Sequence, residues 1–353
     1  MLGSTIPTLR PLSVGEIFDQ AIRLYRRHFI TFVGIIALVQ IPYTIFQAVI
    51  SATSGLQVAE GIGGPPGSMD YGTLFSAQML SYLAALVQLI LVEGIGTAAL
   101  TRAIADTYLG RPVSIVEAYK SMGRSWVGLV GALLLVGLIG LGFLIWTIIP
   151  CVGWLTGIGM MVFLGLAVRP LVTIVYVVEK KGAVKSFRRA WDLAKRRFWW
   201  LIGFTLLLSL FATLVIYGPT TLFASALQSV LGIDAASSYT NPQIWFISLA
   251  LTTFMSLVGS LIYLPLQLTA NTLVYFDLRV RTEGFDLSVL AADVGDAQDD
   301  ILRTAPTVPN ESFITTRDLG NFFALSIIGF VFYAGIVGVF AAIGMLMASG
   351  GGL

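Results

Sequence analysis

Histidine and cysteine are almost missing from this chain of 353 residues, with His28 and Cys151 the single examples. One cysteine closes no internal disulfide and builds no thiolate metal site. One histidine excludes a histidine-pair metal site and a two-histidine acid–base site. Charge is scarce too: Asp, Glu, Lys and Arg make up 11% of the residues, against 56% hydrophobic and a mean hydropathy of +0.87. Soluble domains are about a quarter charged. At less than half that share, polar groups cannot cover a globule of this size. A soluble enzyme, a nucleic-acid binder and a disordered chain are thereby excluded. There is no G-x-x-x-x-G-K-[ST] phosphate loop and no H-E-x-x-H helix. The expectation is a non-enzymatic chain with no catalytic residues, no cofactor, no metal and no nucleic-acid partner.

What the sequence does have is long apolar runs. Seven of them, at about 29–52, 75–105, 126–149, 152–178, 198–216, 244–276 and 320–348, reach membrane-crossing length. Lipid offers no partner for a bare peptide group, so each run is expected to be helical. Pro42 and Pro265 predict local kinks. The 21 Lys and Arg residues fall on one side of this arrangement, or at span ends facing it, except Arg169, which lies deeper. The connections at 53–74, 149–152 and 217–243 contain none. The positive-inside rule then places the N-terminus in the cytoplasm, with the C-terminus outside if all seven runs cross and inside if the last does not. The run Arg26-Arg27-His28-Phe29 has the form of an export signal. The same pattern recurs at Lys195-Arg196-Arg197-Phe198, where no export signal acts, so both read as basic anchors at helix ends.

An internal repeat organises residues 1–282. Arg10-Pro11-Leu12-Ser13-x-x-Glu16-x-Phe18 matches Arg111-Pro112-Val113-Ser114-x-x-Glu117-x-Tyr119. In each, the serine is positioned as an N-cap, and the glutamate three residues on completes a capping box. A third copy keeps only the helix body: Val184, Phe187, Trp191, Ala194 and Phe198 form one apolar stripe. Lys185, Arg188, Arg189, Asp192, Lys195 and Arg196 fill its opposite face. Each unit reads as an amphipathic helix in the membrane interface followed by two spans, the second closed by an acid: Asp106, Glu179 or Asp277. Two spans per unit make the three units parallel, which predicts a pseudo-threefold six-span bundle. Residues 283–318 carry eight acids and two arginines, a net charge of −6, and read as an acidic cytoplasmic linker. Within it, 285–292 is expected as a short helix and 305–310 as flexible chain. Residues 319–353 add the seventh span. The expected fold is an all-α polytopic membrane protein.

Arg10-Pro11-Leu12-Ser13-Val14-Gly15-Glu16-Ile17-Phe18-Asp19, Leu24-Tyr25-Arg26-Arg27 and the stretch Val274-Tyr275-Phe276-Asp277-Leu278-Arg279-Val280-Arg281-Thr282-Glu283-Gly284-Phe285-Asp286-Leu287 carry a likeness. They resemble the two ends of a bacterial family, the glycerophosphoryl diester phosphodiesterase membrane domain family, over residues 9–292. The resemblance implies a module of a bacterial membrane. It does not imply phosphodiesterase activity, because the soluble catalytic domain of the family's namesakes has no counterpart here.

Ionisable groups inside a span are costly and mark functional candidates. Glu93 stands 13 residues before Asp106, and Arg169 stands 10 before Glu179. Their depths match, so the two are expected to pair across helices or to hold a polar solute, ion or headgroup. Gln40, Gln88, Gln267 and Asn271 are the other polar residues within spans. Lys185, Arg188, Arg189, Lys195, Arg196 and Arg197 are candidates for anionic lipid headgroups, with Trp191, Trp199 and Trp200 as interfacial anchors. The functional expectation is a scaffold or accessory subunit engaging anionic lipids and membrane-protein partners. Its rival is a transporter or channel using Glu93 and Arg169. Cysteines placed at Ser114 and Val184 should react with an impermeant maleimide only from the cytoplasmic side. Reaction from the outer medium in intact cells would overturn the topology.

Overall fold

The computed structural model describes residues 10–63, 71–232, 242–291 and 312–350. Every regular element among them is helical. Seven stretches are long and apolar enough to cross a membrane: Phe29–Ser54, Phe75–Tyr108, Ser125–Trp146, Val152–Glu179, Phe198–Val230, Gln243–Glu283 and Thr316–Gly335. The acids from Asp293 to Glu311, Asp70, Asp234 and the expected flexible stretch at 305–310 lie outside the described residues.

The chain begins with a short helix α1 (Val14–Arg27), then α2 (Phe29–Gly63) and a second long helix built from α3 (Tyr71–Gln88), the π-helical segment π1 (Leu89–Gly96) and α4 (Thr97–Tyr108). Next come α5 (Ile115–Met122), α6 (Ser125–Trp146) and the composite of α7 (Val152–Phe163), π2 (Leu164–Val168) and α8 (Arg169–Glu179). They are followed by α9 (Ala183–Arg196), the composite of α10 (Phe198–Ala212), π3 (Thr213–Tyr217) and α11 (Gly218–Val230), and α12 (Pro242–Glu283). The short helix α13 (Phe285–Ala291) and the long α14 (Thr316–Gly350) complete it. Each hairpin touches the other two. The first meets the second through π1 on α6 and α4 on α8, the second meets the third through π2 on α10, and α12 closes the set against α2.

Local sequence explains the helix starts. Ser13 accepts from the Glu16 amide at 3.3 Å, and the Glu16 carboxylate accepts from the Ser13 amide at 2.8 Å. Those Ser13 contacts, backbone first, and the nearby Arg10 pull the Glu16 carboxyl down to about 2. Ser114 likewise accepts from the Glu117 amide at 3.2 Å. α5 then lies against α2, where Tyr119 donates to the Ile35 carbonyl at 2.6 Å.

Two expectations need correction. The fifth span does not stop at 216. The π3 turn precedes Gly218-Pro219, and the helix runs on to Val230, because a proline in the first turn of a new segment gives up an N–H that has no helical partner there. The amphipathic reading of α9 also fails as a surface helix. Phe187, Trp191 and Ala194 are buried as expected, but so are Arg189 and Asp192 on the polar face, while Val184 of the apolar stripe is 68% exposed. α9 packs against α6, α8 and π2 and is part of the protein core. Trp191, fully buried, is the hub of an aromatic cluster with Phe163, Phe313 and Phe322 rather than an interfacial anchor.

The seventh helix crosses α7 closely. The Gly159 amide donates to Ser326 Oγ at 2.7 Å, and a Cβ at Gly159 would stand 2.0 Å from the Phe322 carbonyl oxygen. Backbone cannot yield as a flexible side chain does. Gly159→Ala should therefore cost about 1–3 kcal/mol of stability, read as a lowered melting temperature in detergent. Gly165→Ala, whose Cβ meets nothing within 4 Å, should leave it unchanged.

Candidate functional site: an ion pair in a lateral cleft

Two π-helical insertions set the site. Such insertions shift side-chain register within a helix and recur at functional sites. Within π1, Gly94 and Gly96 admit neighbouring helices closely: a Cβ would meet Val130 of α6 at 2.6 Å and Val39 of α2 at 2.5 Å. Glu93 lies between these contacts and the start of the insertion. π2 stands immediately before Arg169-Pro170. Pro170 has no N–H to offer the Leu166 carbonyl four residues back. Thr205 of α10 donates its hydroxyl to that carbonyl at 3.2 Å. The insertions thus present Glu93 and Arg169 to each other, and the Arg169 guanidinium donates directly to the Glu93 carboxylate.

The pair is not enclosed. Arg169 is 49% and Glu93 27% exposed, and both line a cleft of about 330 Å³. Leu133, Leu134, Leu164 and Met161 give the cleft apolar walls, and Gly137, Gly140 and Gly165 leave it room. A Cβ at Gly137 or Gly165 would meet nothing within 4 Å. The large apolar side chains Ile90, Leu138 and Leu141 on the same helices are exposed, so the cleft opens on the apolar flank of the bundle. A single charge at mid-bilayer costs roughly 2.5–3.5 kcal/mol on insertion scales. Direct pairing offsets much of that cost, while the cleft keeps both groups within reach of a ligand. Chemically, the site offers one cation, one anion and an apolar wall.

Gln88, the residue immediately before π1, accepts from Tyr43 at 3.2 Å. Asn271 is buried and Gln267 half-buried on α12, away from the cleft lining. The polar span residues therefore do not converge on one cavity. Gln40 is set apart as well, its Oε1 buried with no hydrogen-bond partner.

The basic candidates of α9 meet a different fate. Arg189 donates to Glu179 at 3.2 Å and to Glu283 at 2.6 Å. Burial works against its charge, but the hydrogen bond to Glu283 and the charges of Glu179 and Glu283 outweigh it and raise the group above the ordinary arginine range. Lys195 donates to the Ser312 carbonyl at 2.8 Å and pairs with Asp318 at 3.3 Å. Arg188 donates to Asp192 at 3.2 Å and lies over the Phe313 ring, and Arg197 stands 3.6 Å from Asp277 and over the Trp200 ring. These four side chains are committed within the protein. Lys185 is exposed, and Arg196 is half-buried with a contact of its own.

Sequence reasoning missed the centre of this network, Arg279. It donates to Glu283 at 3.2 Å and to the Tyr275 hydroxyl at 3.2 Å, with the Phe285 ring 4.2 Å from its carbon. Tyr275 in turn donates to Glu179 at 2.8 Å. The spacing of Tyr275, Arg279 and Glu283, four residues apart on one helix face, was the available signal. Each of the three span-closing acids sits in an ion pair. Asp106 pairs with Arg102 and Arg111, Glu179 with Arg189 and Lys181, and Asp277 with Arg281. Among the described residues no group of three His, Cys, Asp or Glu side chains is placed to hold a metal.

Arg279→Met removes one of the two cations that share the Glu283 carboxylate, which is 1% exposed, and leaves Arg189 as its partner. Leaving a buried charge alone costs about 3–5 kcal/mol; with Arg189 still in place the loss should fall below that range and read as a reduced folded yield by size-exclusion in detergent. Lys185→Met should behave as the parent. Compared with known families, curated proteins and solved structures, the chain matches none.

Proposed function

We propose that this is a lipid-engaging integral membrane protein of the bacterial cytoplasmic membrane, its N-terminus in the cytoplasm, acting without catalysis as a scaffold or accessory subunit. The observation that carries the reading is the Glu93–Arg169 pair, half-exposed in an apolar cleft on the flank of the bundle. On a flank that faces lipid an ion pair finds no water to solvate it, so a pair serving packing alone is best enclosed by protein groups that satisfy its remaining hydrogen bonds. A pair left at the edge of an apolar groove fits an amphiphile, whose polar end meets the charges and whose tail follows the apolar wall. The excess of Lys and Arg on one side supports the orientation. The paired Arg-Pro-x-Ser-x-x-Glu motifs and the recurring order of short helix, span and span support an origin by duplication. The likeness of the chain's ends to the phosphodiesterase membrane domain family stands on those motifs.

The rival, carriage of a lipid or small solute through the same residues, uses the same cleft as its entrance. The anionic-lipid role of α9 keeps the exposed Lys185 as its contributor, since Arg188, Arg189, Lys195 and Arg197 have partners inside the protein and Arg196 has a contact of its own.

A photoactivatable lipid bearing a diazirine on its acyl chain tests the reading in membranes. Crosslinks should map to α6 and to the π2 segment. Gly165→Leu, which fills the cleft from a position with no neighbour within 4 Å, should bring them to background. Absence of those crosslinks, or their persistence in Gly165→Leu, would overturn it.

A further inference from the structure

We infer that the cleft selects a zwitterionic headgroup carrying a primary ammonium and a phosphodiester, the phosphoethanolamine type, presented by a lipid from the membrane side. The inference rests on the lipid-binding reading above and adds the charge class of the ligand.

The reason is charge conservation in a poorly solvated place. Arg169 and Glu93 neutralise one another by direct contact. An anionic headgroup that takes Arg169 leaves Glu93 without a counter-charge against Leu89 and Leu133. A cationic ligand that takes Glu93 strands Arg169 in the same way. Each exchange replaces one ion pair with another plus an orphan charge, and an orphan charge in an apolar wall is strongly disfavoured. An uncharged headgroup has no ion to offer either residue. A zwitterion alone exchanges one pair for two: its phosphate accepts from the guanidinium, for which Arg's fork is suited, and its ammonium donates to the carboxylate. The net charge of the cleft stays zero throughout.

Geometry favours the same class. The two protein charges touch, so the ligand's opposite charges must be close together, as the phosphate and amine two carbons apart in phosphoethanolamine are. A primary ammonium donates hydrogen bonds to Glu93, whereas a trimethylammonium has no N–H to give. The cleft volume, about 330 Å³, is at the lower end of small-ligand sites. The wall of Leu134, Val136 and Met161 gives the glycerol and upper acyl carbons an apolar path, which ties the headgroup to a lipid rather than to a soluble zwitterion.

The test is retention of lipid by the full chain, purified from nanodiscs holding equal phosphatidylethanolamine, phosphatidylcholine and phosphatidylglycerol and read by native mass spectrometry. The parent should retain phosphatidylethanolamine at least tenfold over the other two. Glu93→Gln should shift the preference to phosphatidylglycerol, because the orphan carboxylate is gone. The exchange E93R/R169E should restore the preference for phosphatidylethanolamine, since it offers the same two charges. Gly165→Leu should retain none, and parallel melting curves verify that each variant folds. Equal retention of the three lipids, or a preference unmoved by Glu93→Gln, would overturn the headgroup inference and leave lipid binding intact. No lipid retained by the parent would overturn both. Displacement of the lipid by soluble glycerophosphoethanolamine at similar concentration would overturn the membrane-borne source.

Discussion

The molecule depends on a layer of ion pairs at the end of the bundle where the basic residues collect. Glu179, Arg189, Glu283 and Arg279 form one closed chain of alternating charge, with the Tyr275 hydroxyl bridging Arg279 to Glu179. Charges this deeply buried are tolerable because every one has its opposite in contact. The chain also does topological work. It joins α8 and α9, consecutive in the chain, to the distant α12. Beside it, Asp277 accepts the Leu12 amide at 2.8 Å while Arg281 donates to the Leu12 carbonyl at 2.6 Å. The entrance to α1 is thereby fixed to the exit of α12, and the beginning and end of the six-span body are locked together.

The second pair of opposite charges, Glu93 and Arg169, makes an instructive contrast. It has the same chemistry but none of the enclosure. The network is bordered by Phe276 beside Tyr275 and Phe285 over Arg279, both buried. The cleft pair is bordered by glycines with open space where side chains would stand. In the network each carboxylate is shared by two cations, whereas Glu93 pairs with Arg169. Burial and multiplicity make the first a fastening. Exposure and simplicity leave the second able to exchange partners, which is why the proposed ligand is placed there.

The basic strip of α9 shows how a composition-level signal is redirected by packing. A helix with cations on one face and aromatics on the other has two ways to satisfy the cations: anionic headgroups or carboxylates of its own chain. Four of them take the second. The acids that receive them, Glu179, Asp192, Asp277, Glu283 and Asp318, include both closing acids of the later hairpins and the two ends of the acidic stretch. The last part of the acidic stretch is docked as well, with the Phe313 ring stacked 4.6 Å from Trp191 and its carbonyl accepting the indole N–H at 2.8 Å. The seventh helix therefore enters the fold through α9.

Sequence alone determined the class of molecule, the number of spans and where the short helices begin. These follow from local physics: apolar length against bilayer thickness, peptide groups that must pair within a helix, and caps that act over three residues. It also marked Glu93 and Arg169 at matching depth, since rise per residue is constant along a helix. Tertiary structure decided what those regularities leave open. The continuation of the fifth span through Pro219 needed a π turn, and the open cleft needed two π insertions whose register no periodicity predicts. The burial of α9 and the central role of Arg279 depended on which distant carboxylates arrived beside them. A charge's meaning is set by its partner, and partners separated by as many as 269 residues along the chain meet only once the helices have packed.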